Sequence, residues 1–197
     1  AVNCAAVDWR ALGLNDGLRG EHAEKSRLAS ACGIRPESTA EAARYLDGWR
    51  EGVSRYCEPA NAFALGASGS EYNGVCNGAE AAEVAAAFRA GEERHERRAA
   101  VAAARRSVSA ATSNLWDFKR RIAELEGELL STDLDADERR SLRAEIRSLR
   151  TEAENVSRSI ELRERALGEA NAAYDRLEAR LAADGYALGA LRPATAS

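Results

Sequence analysis

From Val101 to Leu181, apolar side chains recur in alternating steps of three and four residues. The first run is Val101, Ala104, Val108, Ala111, Leu115, Phe118, Ile122, Leu125 and Leu129. The second is Leu142, Ile146, Leu149, Ala153, Val156, Ile160, Arg163, Leu167, Ala170, Tyr174, Leu177 and Leu181, where only Arg163 breaks character. Such stepping keeps one narrow stripe on the same side of a helix and is the signature of a coiled-coil seam. Between the runs, Ser131-Thr132-Asp133-Leu134 reads as a turn and Asp135-Ala136-Asp137-Glu138 as a fresh helix start.

Folding the runs about that turn brings them into register. Leu129 faces Leu142, Leu125 faces Ile146, Ile122 faces Leu149, and Phe118 faces Ala153. Leu115, Ala111 and Val108 then face Val156, Ile160 and Arg163. Large residues oppose small ones at Phe118/Ala153 and Ala111/Ile160, which keeps the width of the core even. Arg163 can pack its stem and send its head to water. An antiparallel hairpin within one chain is expected over residues 79–183, with its turn at about 131–135. The rival is a parallel coiled-coil dimer.

The first 78 residues are of another kind. They hold all four cysteines, Cys4, Cys32, Cys57 and Cys76, with no C-x-x-C pair. Zinc sites usually present closely spaced ligand pairs, so no metal is expected. An even number of cysteines in a short segment points to two disulfides and an oxidising compartment. Asp8 is placed to cap a helical region reaching to about Ala31, interrupted by Gly13, Gly17 and Gly20. Ser38-Thr39-Ala40-Glu41 is a capping box opening a helix to about Tyr56 or Cys57. Residues 58–78 read as loop, because Pro59, Asn61, Gly66, Gly69, Asn73, Gly74, Asn77 and Gly78 punctuate them. Asn77-Gly78-Ala79-Glu80 is a further candidate capping box. Residues 184–197, after Asp184-Gly185, are expected to be a flexible tail. The fold class is thus all-α: a small disulfide-stapled helical head on residues 1–78, then a long antiparallel coiled-coil hairpin.

Charge restricts the partners. The chain has 28 basic and 32 acidic residues, and neither end carries a block of one sign. The basic stretch from Arg89 to Arg106 is diluted by Glu92, Glu93 and Glu96. A nucleic-acid partner is therefore not expected. No apolar run is long enough to span a bilayer. The chain begins at Ala1 and contains no Met, so a leading piece is expected to have been removed: a signal peptide, a lipoprotein leader or only the initiator residue.

Aromatics and glycines share a rhythm in the head. Trp9 precedes Gly13 and Gly17; Tyr45 precedes Gly48, Trp49, Gly52 and Tyr56; Phe63 precedes Gly66, Gly69 and Tyr72; Phe88 precedes Gly91. A ring and a glycine three or four residues later lie on one helix face, and glycines four apart allow helices to approach closely. Either the rings pack on glycines in a small core, or Trp9, Tyr45, Trp49, Tyr56, Phe63 and Tyr72 include a surface that binds a ligand.

The same residues carry a family resemblance. The stretch Cys4-x3-Asp8-Trp9-x3-Gly13-x2-Asp16-Gly17-x2-Gly20 resembles the opening of a bacterial envelope lipoprotein-like family, domain of unknown function family 2799. The likeness continues through Cys32, Tyr45-x2-Gly48-x3-Gly52-x3-Tyr56-Cys57, Asn61, Gly66-x2-Gly69-x2-Tyr72 and Gly74-Val75-Cys76. It spans about residues 4–91. Members carry a lipoprotein leader, so the resemblance implies export and leaves room for a lipid anchor; Cys4 matches the cysteine before Asp-Trp, not the lipid-bearing one. The family brings no known activity.

If residues 8–31 and 38–57 form an up-down pair, Cys4 and Cys57 share one end and Cys32 lies at the other. That geometry favours Cys4–Cys57 and Cys32–Cys76.

No catalytic constellation stands out. His22 and His95 fall in polar helical stretches and read as surface histidines. Asp8, Asp16 and Asp47 read as caps or turn formers. The expectation is a non-enzymatic structural or interaction protein of the bacterial cell envelope, periplasmic or outer-membrane associated. The hairpin would meet a protein partner or a second copy, and no cofactor is expected. The alternative is a module whose head aromatics bind peptidoglycan or another glycan.

Overall fold

The computed structural model describes residues 7–23, 38–78 and 80–186. Among them every regular element is a helix: α1 (Trp9–Leu18), α2 (Thr39–Tyr56), α3 (Pro59–Ser68), α4 (Ala81–Glu128) and α5 (Ala136–Ala183). The chain divides into two compact units. One comprises the chain to Glu96 together with Leu177 onward; the other is Arg97–Arg176. The head unit thus continues past residue 78, because the start of α4 and the end of α5 supply part of its core.

In the head, α1 opens on Asp8, whose carboxylate accepts from the Ala11 amide at 3.1 Å. The helix runs straight through Gly13 and Gly17, which are not breaks. It buries Leu12, Gly13, Asp16 and Gly17 along one stripe. α2 starts with the expected capping box, Ser38 and Glu41 bonding each other's backbone. It buries Tyr45, Gly48, Gly52 and Tyr56 on one face.

These two stripes mesh backbone to backbone. A methyl on Gly13 would lie 2.0 Å from the Tyr45 carbonyl oxygen, and one on Gly17 2.3 Å from that of Trp49. Reciprocally, methyls on Gly48 and Gly52 would strike the carbonyls of Arg10 and Leu14. Only glycine permits this approach, where Cα–H groups face partner carbonyls. As α1 advances from Gly13 to Gly17, its neighbours on α2 advance from Tyr45 to Val53. The helices therefore run parallel, not up-and-down.

This overturns the expected disulfide pairing. Cys57 is joined to Cys76, with Cα atoms 5.6 Å apart, so neither Cys4–Cys57 nor Cys32–Cys76 can form alongside it. The expectation rested on an antiparallel pair that would bring Cys57 back to the chain start. In the parallel arrangement Cys57 lies at the opposite end from Asp8, and the segment after α3 returns to it. Cys4 and Cys32 lie outside the described residues, as do positions 24–31 of the expected first helical region.

Residues 59–68, expected as loop, are helix. Pro59 occupies the first turn, where its missing N–H costs nothing. The Asn61 amide donates to the Tyr56 carbonyl at 2.8 Å, tying α3 to the end of α2. Gly66 meets α4, and Gly91 of α4 meets α3: methyls there would lie 2.2 Å from the carbonyls of Phe88 and Phe63. The expected cap at Asn77 does not form; its amide donates to the Val75 carbonyl at 3.3 Å, and α4 begins at Ala81.

Tyr56, Phe63, Val75, Val84, Leu177 and Leu181 anchor the head core. α5 stops at Gly185, where the Tyr186 amide bonds back to the Leu181 carbonyl at 2.8 Å. Tyr186 is thereby set on Phe63, their centroids 5.1 Å apart. The expected tail is thus ordered at its first residues; residues 187–197 lie outside the described ones.

In the second unit, the helices pair as an intrachain antiparallel hairpin. Arg121 reaches Glu145 at 3.2 Å, and Arg150 reaches Glu126 at 2.5 Å. Seam positions are buried or half-buried, and Arg163 alone is exposed among them, its Nη1 donating to Ser107 Oγ. Leu125 and Ile146, the opposed pair, are 0% and 5% exposed. At the turn, Asp135 caps α5 through the amides of Asp137 and Glu138, and Glu138 returns a bond to the Asp135 amide. Arg139 donates to the carbonyls of Leu129 and Ser131, closing the bend.

Candidate functional site

The six sequence candidates separate into two groups: Trp9, Tyr45 and Trp49 along α1 and α2, and Tyr56, Phe63 and Tyr72 around the disulfide. Tyr45 is buried, and its hydroxyl donates to Asp16 Oδ2 at 3.0 Å. Asp16 is fully buried, and Arg19 pairs with its other oxygen at 2.5 Å. Asp16 is neither a cap nor a turn former; it is a buried carboxylate linking α1 to α2. Burial above all, with the charges of Asp16 and Glu21, holds the Tyr45 phenol well above its ordinary value of 10.0. Half-buried Trp49 donates from Nε1 to the Glu21 carbonyl at 2.7 Å. Trp9 is also half-buried.

The second group lies around the disulfide. Phe63 is wholly buried. Tyr56 is buried and its ring sits on Gly20, where φ is +67° and a methyl would lie 2.3 Å from the ring. Its hydroxyl accepts from the Asn73 amide at 3.3 Å, while the Asn73 side chain donates to the Arg19 carbonyl. Tyr56 stacks on Tyr72 at 6.2 Å, and Tyr72 meets Phe88 at 5.3 Å. Tyr45, Tyr56 and Phe63 are therefore packing residues. Of the six, Tyr72 alone lines the cleft described next.

That cleft, of about 550 Å³, lies between α3, the segment after it and the start of α4. α3 ends at Gly69 in a left-handed turn, with the Ser70 amide bonding the Leu65 carbonyl at 3.0 Å. This turn leads the chain away as Ser70-Glu71-Tyr72. Opposite, α4 places Phe88, Glu92 and His95 on one face. Tyr72 and Phe88 form an aromatic wall, and Glu71, Glu92 and Glu96 are exposed around it. Burial pushes the Tyr72 phenol upward, an effect a hydrogen bond with the Cys76 backbone partly offsets.

His95 is not the surface histidine expected. Its ring lies against Gly69, where a methyl would come within 2.6 Å of Cε1. Its Nδ1 is buried and has no hydrogen-bond partner among the described residues. His22 is exposed, as expected. Among the described residues, no three His, Cys, Asp or Glu side chains are grouped as metal ligands. No helix among them is long and apolar enough to cross a membrane.

Sequence reasoning passed over Asp16, Glu71, Phe88, Glu92, His95 and Glu96 as parts of a site. One signal was present: Phe88, Gly91, Glu92 and His95 repeat at the spacing of a single helix face.

Residues 8–93 match the family described as protein of unknown function (DUF2799). The head sequence thus matches the domain of unknown function that its motifs resemble. The match ends within α4, and the unit Arg97–Arg176 lies outside it. No curated protein and no solved structure matches the chain.

Proposed function

We propose, starting from a head that matches a domain of unknown function, that the chain is a non-enzymatic structural and interaction protein of the bacterial cell envelope. The head is its compact module, and the hairpin is the surface for docking or self-association. One observation carries this reading. The unit Arg97–Arg176 spends two long helices on a single narrow seam and turns its other faces to solvent, which maximises surface for the core it buries. The Cys57–Cys76 disulfide supports an oxidising compartment.

Photo-crosslinking in the native cell tests it. Trp116 and Leu162, 70% and 61% exposed, are replaced in turn by a photoreactive residue in the full chain. Adducts to an envelope protein or to a second copy are expected, in the envelope fraction. A cytosolic chain without an adduct at either position would refute the reading.

A second reading, that the head binds an envelope ligand such as peptidoglycan or another glycan, is favoured by Tyr72 in the cleft wall. Co-sedimentation with purified peptidoglycan, lost in Tyr72→Ala, tests it.

A further inference from the structure

Two flanks border the seam of the hairpin. Residues just before a seam position share one flank, where Arg121 meets Glu145. Residues just after a seam position share the other, where Arg150 meets Glu126. On this second flank α5 carries Arg140, Arg143, Arg147 and Arg150 in succession, then Glu154, Glu161 and Glu164, all exposed. The side chains of Arg140, Arg143 and Arg147 border one groove. Such an order is unfavourable within one helix, since like charges three and four residues apart repel. Arg143, Arg147, Glu154, Glu161 and Glu164 also have no ion pair among the described residues.

A row that is basic at one end and acidic at the other complements itself when turned end for end. A two-fold axis level with Glu152 sets Arg140 against Glu164 of a second copy, Arg143 against its Glu161 and Arg150 against its Glu154. Symmetry forms each pair twice. A parallel arrangement would set like charge on like charge. The next row round α5 holds Asp137, Arg158 and Arg165, and the same axis brings Asp137 near Arg165 of the second copy.

α4 agrees with this axis. Trp116 follows seam residue Leu115, so it lies on the same flank, and it is 70% exposed. In the hairpin register Lys119 is level with Glu152. The axis therefore lays Trp116 over Ala123 of the second copy, large against small. Lys119 meets its own copy, and that contact is unfavourable. From Arg140 to Glu164 the two-helix face is about 36 Å long and about 20 Å wide, roughly 700 Å² per copy. That is close to the ~800 Å² per partner of a stable dimer.

We infer that the hairpin pairs with a second copy of this chain, antiparallel and two-fold, through the flank that bears Trp116 and the Arg140–Glu164 row. Trp116 supplies affinity, as buried aromatic anchors do. The charges set direction and register, because exposed pairs add little while mismatched ones repel. The dimer rests on the docking role proposed for the hairpin and names its partner.

Sedimentation equilibrium of the full oxidised chain tests it. A monomer–dimer equilibrium in the micromolar range is expected, weaker by about tenfold at about 500 mM salt than at about 50 mM. Arg140→Glu with Arg143→Glu should abolish the dimer, and so should Glu161→Arg with Glu164→Arg, with the helical signal unchanged. Mixing these two double variants should restore a dimer of one of each. Combining all four changes in one chain should restore the homodimer, which a parallel arrangement could not do. Trp116→Ala should weaken it about tenfold without changing its direction. A monomer at hundreds of micromolar, undiminished pairing in either double variant, no recovery on mixing, or assemblies that grow beyond the dimer would each overturn the inference. In the native-cell crosslinking, self-adducts are expected at Trp116 and not at Leu162, which precedes Arg163 and so lies on the opposite flank. A chain that is monomeric in solution but crosslinks to an envelope protein would overturn the dimer and leave the docking role standing.

Discussion

Gly17 on α1 and Gly52 on α2 pass so closely that a methyl on Gly17 would sit 2.9 Å from the Gly52 Cα. It would also lie 2.3 Å from the Trp49 carbonyl oxygen, a backbone atom that cannot rotate away. Gly17→Ala and Gly52→Ala must therefore push the helices apart, and each should cost about 2–3 kcal/mol. Gly127 and Gly168 are the controls, since nothing lies within 4 Å of a methyl at either. There the helix gains a better former, and alanine should stabilise by about 0.5–1 kcal/mol. Denaturant unfolding of the four variants by circular dichroism checks both signs.

The disulfide closes a loop with a sequence separation of 19. Removing it with Cys57→Ser and Cys76→Ser should lower head stability by about 3 kcal/mol, as the unfolded chain regains that loop entropy. Non-reducing peptide mapping should recover Cys57 joined to Cys76. Recovery of Cys4 joined to Cys57 would contradict the fold of the head as well as the bond.

The hairpin was legible because its signal is local and repeated: many steps of three and four must agree, and a single Arg163 does not spoil them. The head was less legible because glycine is ambiguous. An intrinsic penalty in helices made Gly13 and Gly17 look like breaks, yet both are helix interior, chosen for what they let α2 do. Pro59, Asn61 and Gly66 read as loop residues one at a time. In place they are a first-turn proline, a tie to the Tyr56 carbonyl and a close approach to α4. The relative direction of α1 and α2 has no local signature, and the disulfide pairing inherited that error. The cleft suffered similarly. Phe88, Glu92 and His95 share a face by spacing, but Glu71 and Tyr72 reach them only through the turn at Gly69.

Asp16 and Tyr45 make stability depend on alkaline pH. In the folded head the phenol is held above 10.0, so the folded state keeps its proton where the unfolded chain releases it. The resulting stability is complete below pH 10 and is lost as pH rises beyond it, by about 1.4 kcal/mol per pH unit for one group. Tyr72 shifts in the same direction and adds to the slope. Tyr45→Phe should cost about 1–2 kcal/mol at neutral pH, where Asp16 loses its donor. It should also flatten, without abolishing, the fall above pH 10. Urea unfolding from pH 8 upward distinguishes this from a uniform loss.

Leu125 and Ile146 set the register of the hairpin, because they are opposed in the heptad pattern and both are buried. The ion pairs Arg121–Glu145 and Arg150–Glu126 are exposed and contribute little by themselves. Leu125→Ala and Ile146→Ala should each cost about 2–4 kcal/mol. Since each widens the same layer, the double variant should cost less than the sum, with a coupling of about 0.5–2 kcal/mol. Strict additivity would mean that the two do not share a layer and that the register is shifted. Arg163 gives the opposite sign: it stands exposed on an otherwise apolar seam, bonded to Ser107. Arg163→Leu completes the stripe opposite Val108 and should stabilise the hairpin by about 1 kcal/mol, read as a higher denaturation midpoint at unchanged slope.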